Sequence, residues 1–421
     1  FILLASCAPV NNLSKESSNK VENTPQEKIS NQDYKKNTKA IFQKKPKDIN
    51  TNEEYPNENF SKEITILLSK KDNKQIVNQF INVVELAVYK KKIKNISFSI
   101  FYYDNKNSLE NFLKGEDLSG KLFIGPLNSD DTKLLNKYCS KNPIFFSFSP
   151  NTNLAKDCVF LVNFFPENEM NTIFNFFPNN SKVAFLYPEN EYGFGINSII
   201  DKVANQSNSV IVNRASYNID LSNAAQAIKE LGKYDLRKYE LNRQKKILAS
   251  KKDNESKKRL IKLEKFQTTK DFDFTHIIIA DYGLRLLQVA PLLPYYDIDP
   301  NVVGFVGTGA WDDKVFYDEP SLNKAIYPGI EYQNRKELFE SYNELYKQRL
   351  LRISTLPYDL VGLLSYIIEN NYNISSFYEM INEKKVKFYG VDGNFYFLKN
   401  KIERDLQVLQ ISDGEAKPLL K

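Results

Sequence analysis

The segment Lys121–Pro150, "KLFIGPLNSDDTKLLNKYCSKNPIFFSFSP", decides the fold. Its first apolar run, "LFI", is too short for a helix and stops at Gly125-Pro126, a turn pair. "DDTKLLNKYCSK" then sets two acids in the first turn of a helix, where they complement the positive end of the helix dipole. "NPIFFSFSP" is a second β-rich run. A strand, a helix and a strand follow one another with no hairpin turn between the strands, so the two strands run parallel.

The same alternation extends in both directions. Upstream lie the strand "EITILLS" (63–69), the helix "QIVNQFINVVELAVYK" (75–90), the strand "NISFSIFYYD" (95–104) and the short helix "SLENFLKG". Downstream it restarts with "KVAFLYP", the helix "YGFGINSIIDKVANQ", "SVIVNRASY" and the helix "LSNAAQAIKELGKY". "FTHIIIAD", "YGLRLLQVAPLLPYY" and "NVVGFVGTG" complete the series. The fold class is therefore α/β, with mainly parallel sheets flanked by helices. At roughly 100–200 residues per domain, the ordered chain from about residue 61 suits two lobes.

One stretch breaks the rhythm. Residues 233–270 are charge-dense and only sparsely apolar, and they read as a helical hairpin split near "KKDNES". Such an insertion is ordinarily a solvated element packed on its host. Its sharper reading is a docking element for a partner, with Leu236, Tyr239, Leu260 and Leu263 as the contacts.

The N-terminal part differs in kind. Residues 8–60 are polar and without apolar periodicity, so they cannot offset their ordering entropy and are expected to form a disordered tether over 7–60. A coil of that length reaches some tens of ångströms, at roughly 5–6 Å × √n. Before it stands "FILLASC", an apolar stub too short to span a bilayer, read as a signal-peptide remnant over 1–6. Leu4-Ala5-Ser6-Cys7 resembles the bacterial lipobox, which makes Cys7 a lipidation site and the membrane a partner through that anchor. Ala8 stands where an Asp would hold many lipoproteins at the inner membrane, so the expected location is the periplasm, at the outer membrane.

Composition excludes several classes. Three cysteines rule out a disulfide scaffold. An oxidising compartment permits a Cys139–Cys158 bond, but the strand and loop between them favour two free buried thiols. The net charge of +6 is spread widely, and no basic face with interleaved aromatics indicates nucleic acid. There is no nucleophile elbow or phosphate-binding loop, and the single histidine, His276, cannot build a His-rich metal site. Asp312 and Asp313 are adjacent, and adjacent side chains diverge, so a shared catalytic dyad is not expected. The expectation is a non-enzyme without cofactor or metal.

What recurs is a polar residue just after an apolar strand: Ser129, Ser149, Thr152, Tyr192 and Asp281. In open α/β sheets these positions lie at the carboxyl ends of the strands, where ligands sit. Each alone reads as a helix cap; together they suggest a cleft.

The order of "KLFIGPLNSDDTKLLNKYCSKNPIFFSFSPNTNL", "VFLVNFFPENEMNTIFNFF" and "KVAFLYPENEYGFG" resembles that of type 1 periplasmic-binding-fold proteins, the leucine-binding group, over about residues 61–411. The lipobox, the charged insertion, "DYGLRLLQVAPLLPYYDIDPNVVGFVGTGAWDD", "YDLVGLLSYI" and "GVDGNFYF" resemble penicillin-binding-protein activators within that superfamily. The resemblance implies a first lobe over about 61–165 and 310–384, a second over 166–309 and 385–415, and a C-terminal hairpin turning at Asp392-Gly393. It implies that Ser129, Ser149 and Thr152 meet a ligand carboxylate, that Tyr192 closes over it, and that Asp281 takes the ammonium group of an amino-acid-like ligand. "SPNTN" is one residue short for that pattern and the acid after "HIIIA" is shifted, so a degenerate cleft is expected. The implied function is a lipoprotein that activates a peptidoglycan synthase; the alternative is the solute-binding protein of a branched-chain amino-acid importer.

Overall fold

The computed structural model describes residues 55–383 and 386–419. Cys7, the signal-peptide remnant and most of the tether lie outside the described residues.

Five short strands open the chain: β1 (Glu63–Ser69), β2 (Ser97–Tyr103), β3 (Leu122–Ile124), β4 (Ile144–Ser147) and β5 (Val159–Leu161). Between them run α1 (Lys74–Lys90), α2 (Lys106–Gly115) and α3 (Ser129–Leu135). The pattern repeats with β6 (Lys182–Pro188), β7 (Val210–Tyr217), β8 (His276–Ile279), β9 (Gly304–Val306) and β10 (Ile326–Gly329). This half carries α4 (Pro166–Phe176), α5 (Glu191–Gln206), α6 (Ala224–Leu231), α7 (Tyr234–Ser250), α8 (Asn254–Glu264), α9 (Gly283–Val289) and α10 (Leu292–Tyr295). Then follow α11 (Tyr332–Tyr346), α12 (Leu356–Glu369), α13 (Ile374–Asn382), and β11 (Phe395–Leu398), β12 (Lys401–Arg404), β13 (Gln407–Ser412) and β14 (Glu415–Pro418).

The strands form two sheets of seven, ordered β11-β12-β5-β4-β3-β1-β2 and β14-β13-β10-β9-β8-β6-β7. Strands β1 to β5 pair in parallel, as do β6 to β10. The two halves therefore share one topology, reversing order at β1/β3 and at β6/β8, the switch points at which such sheets open a crevice. The inner strands are buried throughout because helices cover both faces, and "LFI", "IFF" and "VFL" read accordingly as unbroken apolar runs. The edge strands β2 and β7 keep exposed positions.

Four expectations are corrected. Residues 310–329 belong to the second lobe: β10 joins its sheet, and Trp311, Phe316 and Leu322 pack in its core. The chain returns to the first lobe at Ile330–Glu331, and residues 395–404 stay there because β12 adds to β5, Leu161 N–H donating to Asn400 O at 2.8 Å. The C-terminal hairpin turns at Lys399–Asn400, both at positive φ (50° and 56°), which matches the twist a two-residue turn requires. Asp392-Gly393 instead reverses the chain for a single bridge, Phe388 to Phe395.

The other two concern the tether and the cysteines. The Tyr55 ring stacks on Tyr378 at 4.1 Å, and Phe60 is buried edge-on against Phe377. Residues 55–60, expected in the tether, thus belong to the packed fold. Cys139 and Cys158 form a disulfide, with Cα atoms 5.3 Å apart. The helical turn after α3 ends at Lys141 and brings Cys139 back over the start of β5, so the intervening strand does not separate the two.

Candidate functional site: an interlobe cleft bridged by the protein's own side chains

Asparagines, and not the predicted residues, cap the helices at the sheet ends. Asn128 Oδ1 accepts from Asp131 N at 2.9 Å to start α3, and Asn190 Oδ1 accepts from Gly193 N at 2.9 Å to start α5. Ser129 and Tyr192 are thereby freed for other contacts. Their contacts lie within the protein.

On the first lobe, Ser129 Oγ and Ser149 Oγ are 2.7 Å apart, and Ser149 is fully buried. Ser149 Oγ also accepts from Asn151 N at 3.1 Å. Behind them, Thr132 Oγ1 and Ser147 Oγ are 2.6 Å apart. The two predicted serines are together, as their positions after β3 and β4 require. Thr152 is not with them: it is exposed and opens a short helical turn over 152–154.

On the second lobe, Tyr192 Oη and Thr308 Oγ1 are 2.5 Å apart, and the Tyr282 ring stands edge-on to Tyr192 at 5.0 Å. Burial, with the nearby Glu169 carboxylate second, pushes the Tyr192 hydroxyl well above its usual range. Asp281 is fully buried and already occupied. Arg285 donates to both its oxygens, at 2.7 and 2.6 Å, Tyr217 Oη donates at 2.5 Å, and Tyr282 N donates at 2.8 Å. Arg285 follows at i+4 on the opening turn of α9, so the helix itself delivers the counter-charge. This corrects the expectation of an acid open to a ligand ammonium group.

The lobes meet through ion pairs that no local pattern announced. Glu169, buried near the start of α4, accepts from Gly309 N at 2.9 Å and from Arg352 of the first lobe at 3.2 and 3.3 Å. A side chain at position 309 would collide with the Glu169 carboxylate, so glycine permits the approach. The Arg352 guanidinium lies over the Phe164 ring at 3.8 Å, and Arg404 lies over the same ring at 5.1 Å. Phe164 and Arg404 sit on two different crossings between the lobes, so the aromatic face holds both crossings together.

Deeper in the hinge, Arg335 on α11 pairs with Asp312, donates to Ile330 O at 3.0 Å and lies 3.5 Å from Asp392. Asp313 turns the other way, to Arg349. The adjacent acids thus face separate cations and form no dyad. Asp359 accepts from Val391 N at 2.9 Å and Asp392 N at 3.3 Å; burial, then the charge of Asp392, pushes it up to about 6. A cavity of about 760 Å³ lies beside this hinge, between α11 and the β13–β14 hairpin, and none of the five predicted cleft residues lines it.

His276 is structural. Its ring stacks on Phe177 at 4.3 Å, Nδ1 lies 2.8 Å from Thr275 Oγ1, and burial lowers its pKa. Among the described residues no cluster of His, Cys, Asp and Glu is placed to hold a metal, and no helix is long and apolar enough to cross a membrane.

Solved structures share this architecture. A protein assigned to a branched-chain amino acid ABC transporter of Rhodospirillum rubrum superposes with a TM-score of 0.64 at 12% identity, over 85% of this chain and 99% of that one. An ABC transporter substrate-binding protein from Desulfitobacterium hafniense, in complex with Leu, gives 0.53 at 16% identity, over 85% and 100%. The C-domain of LpoA from Haemophilus influenzae, a regulator of PBP1A, gives 0.56 at 13% identity, over 85% and 100%. No family model and no curated protein matches the sequence. The chain has the two-lobe type 1 periplasmic-binding fold, an architecture found in both transport-linked binding proteins and a regulator of PBP1A.

Proposed function

We propose that this protein is a periplasmic regulator that binds a peptidoglycan synthase and stimulates it, working through its outer surface and not through a ligand in the cleft. The observation that carries this reading is the closure of Asp281 by Arg285 and Tyr217. An amino-acid binder needs an acid available to the ligand ammonium group, and a buried carboxylate already holding a bidentate guanidinium is not available. The serine pair and the Tyr192–Thr308 contact likewise satisfy polar groups that a ligand would otherwise meet.

Lipidation of Cys7 belongs to the same proposal. Several acyl chains would hold the protein on a membrane, with the outer membrane favoured by Ala8, and the tether would let the bilobal domain reach a synthase fixed in the opposite membrane. The regulator needs no chemistry of its own, only differential affinity for the active state of its partner.

The likeness to a leucine-bound transport protein supports a second reading, the solute-binding component of an importer. Calorimetric titration of the protein with a panel of the common amino acids separates the two. The regulator reading expects no binding heat at micromolar concentrations. A saturable micromolar isotherm for any amino acid would move the assignment to the importer.

A further inference from the structure

The hairpin α7–α8 carries charge out of proportion to its length. Residues 233–270 hold fourteen Lys and Arg against five Asp and Glu, an excess of nine in a chain whose net charge is +6. Its root is fixed. Arg237 is buried, donates to Gly232 O at 2.7 Å, Thr268 Oγ1 at 2.7 Å, Thr269 O at 2.8 Å and Tyr296 O at 3.2 Å, and stacks on Phe272 at 4.2 Å. Such a network makes the hairpin a rigid projection of the second lobe, with α7 about 25 Å long at 1.5 Å per residue.

The outer surface of the hairpin carries exposed apolar side chains. Leu236 and Tyr239 are 62% and 66% exposed on the first turns of α7, and Ile247 and Ile261 follow at 49% and 60%. Leu260 and Leu263, by contrast, are half-buried where α8 packs on α7, which removes them from the docking set expected from sequence. Among the described residues Lys251, Lys252, Lys257, Lys258, Arg259 and Lys262, at and beyond the hairpin bend, form no ion pair.

Exposed apolar anchors on the first turns of α7 and unpaired cations at its far end give one face both the apolar contacts and the charge of a protein interface. They do not match a lipid-binding helix, which needs one broad apolar face; here Arg243, tied to Glu240 at 2.8 Å, interrupts the row from Leu236 to Ile247. We infer that the outer face of α7–α8 is a docking surface for an acidic protein face, with Leu236 and Tyr239 as the anchors and the lysines of the bend steering association. Naming that protein as the synthase rests on the regulator reading above; the acidic chemistry of the docked face does not.

The test is biolayer interferometry of the full chain against the purified peptidoglycan synthase of the same organism, at low and high salt. It uses one variant with Lys251, Lys252, Lys257 and Lys258→Glu and another with Leu236→Ser and Tyr239→Ser, each first checked for unchanged melting. The charge reversal is expected to slow association about tenfold and flatten its salt dependence, while the apolar variant dissociates about tenfold faster. Wild type and both variants binding alike would overturn the docking surface and leave the regulator reading standing. No binding by the wild type would overturn both. Binding of the wild type to phosphatidylglycerol vesicles, lost in the charge variant while synthase binding persists, would overturn the protein partner in favour of an anionic lipid surface.

Discussion

Glu169 Oε1 accepts from both terminal nitrogens of Arg352, at 3.2 and 3.3 Å, and so joins α4 of the second lobe to the segment before α12 of the first. This nearly buried ion pair ties the two lobes together at that point.

Arg352→Gln is therefore expected to open the lobes and destabilise the protein by about 3 kcal/mol, since it strands a buried carboxylate. Adding Glu169→Gln should return a large part of that loss. Small-angle scattering and chemical denaturation of the wild type and the two variants check this; a radius of gyration and stability unchanged in Arg352→Gln would contradict it.

The Cys139–Cys158 bond closes a loop of about twenty residues, for which chain entropy gives about 3 kcal/mol. Reduction, or Cys139→Ser with Cys158→Ser, should lower the melting temperature by several degrees. Equal melting with and without reductant would show that the bond contributes nothing.

Asp359 gives a pH dependence with a definite sign. Its folded value, about 6, lies above the usual 3.8, so the native state holds the proton more tightly than the unfolded chain. Stability from this group is full below 3.8 and is lost as pH rises through about 6, at up to about 1.4 kcal/mol per pH unit. The groups facing it are Asp392, Arg404 and Lys91. Asp359→Asn should remove this falling component between pH 4 and 6 in urea titrations, and an identical slope in both proteins would contradict the assignment.

Arg237→Met should loosen the hairpin without unfolding the lobes. Loss of its carbonyl and hydroxyl contacts leaves those acceptors unsatisfied, at about 1–3 kcal/mol each where burial is complete. Hydrogen exchange over residues 234–266 is expected to quicken at least tenfold while β6 and β8 stay protected. Unchanged exchange there would show that other contacts hold the root.

The sequence was most informative where one local pattern determines the outcome. "LFI", "IFF" and "VFL" are apolar on both faces, which fits a covered parallel sheet, and the positions after β3 and β4 bring Ser129 and Ser149 together. Asp281 shows the limit. Its place after β8 was legible, but whether its carboxylate is free depends on Arg285, one helical turn on, and on Tyr217 from the neighbouring edge strand. Glu169 and Arg352 stand 183 residues apart and carry no motif, so their pairing appears only once the chain has returned to the first lobe. Lys399–Asn400 misled for a different reason: Asp392-Gly393 is the stronger turn signal, yet strand addition beside β5 fixes the register and puts two non-glycine residues at positive φ.

The regulator reading is tested most directly by the rate of glycan-strand synthesis by the purified peptidoglycan synthase, with and without the full chain at equimolar concentration. The account predicts a several-fold rise that survives saturation with amino acids and is lost when Leu236 to Phe266 are removed from an otherwise folded protein. A rate unmoved by the intact protein, together with a micromolar amino-acid isotherm, would contradict it.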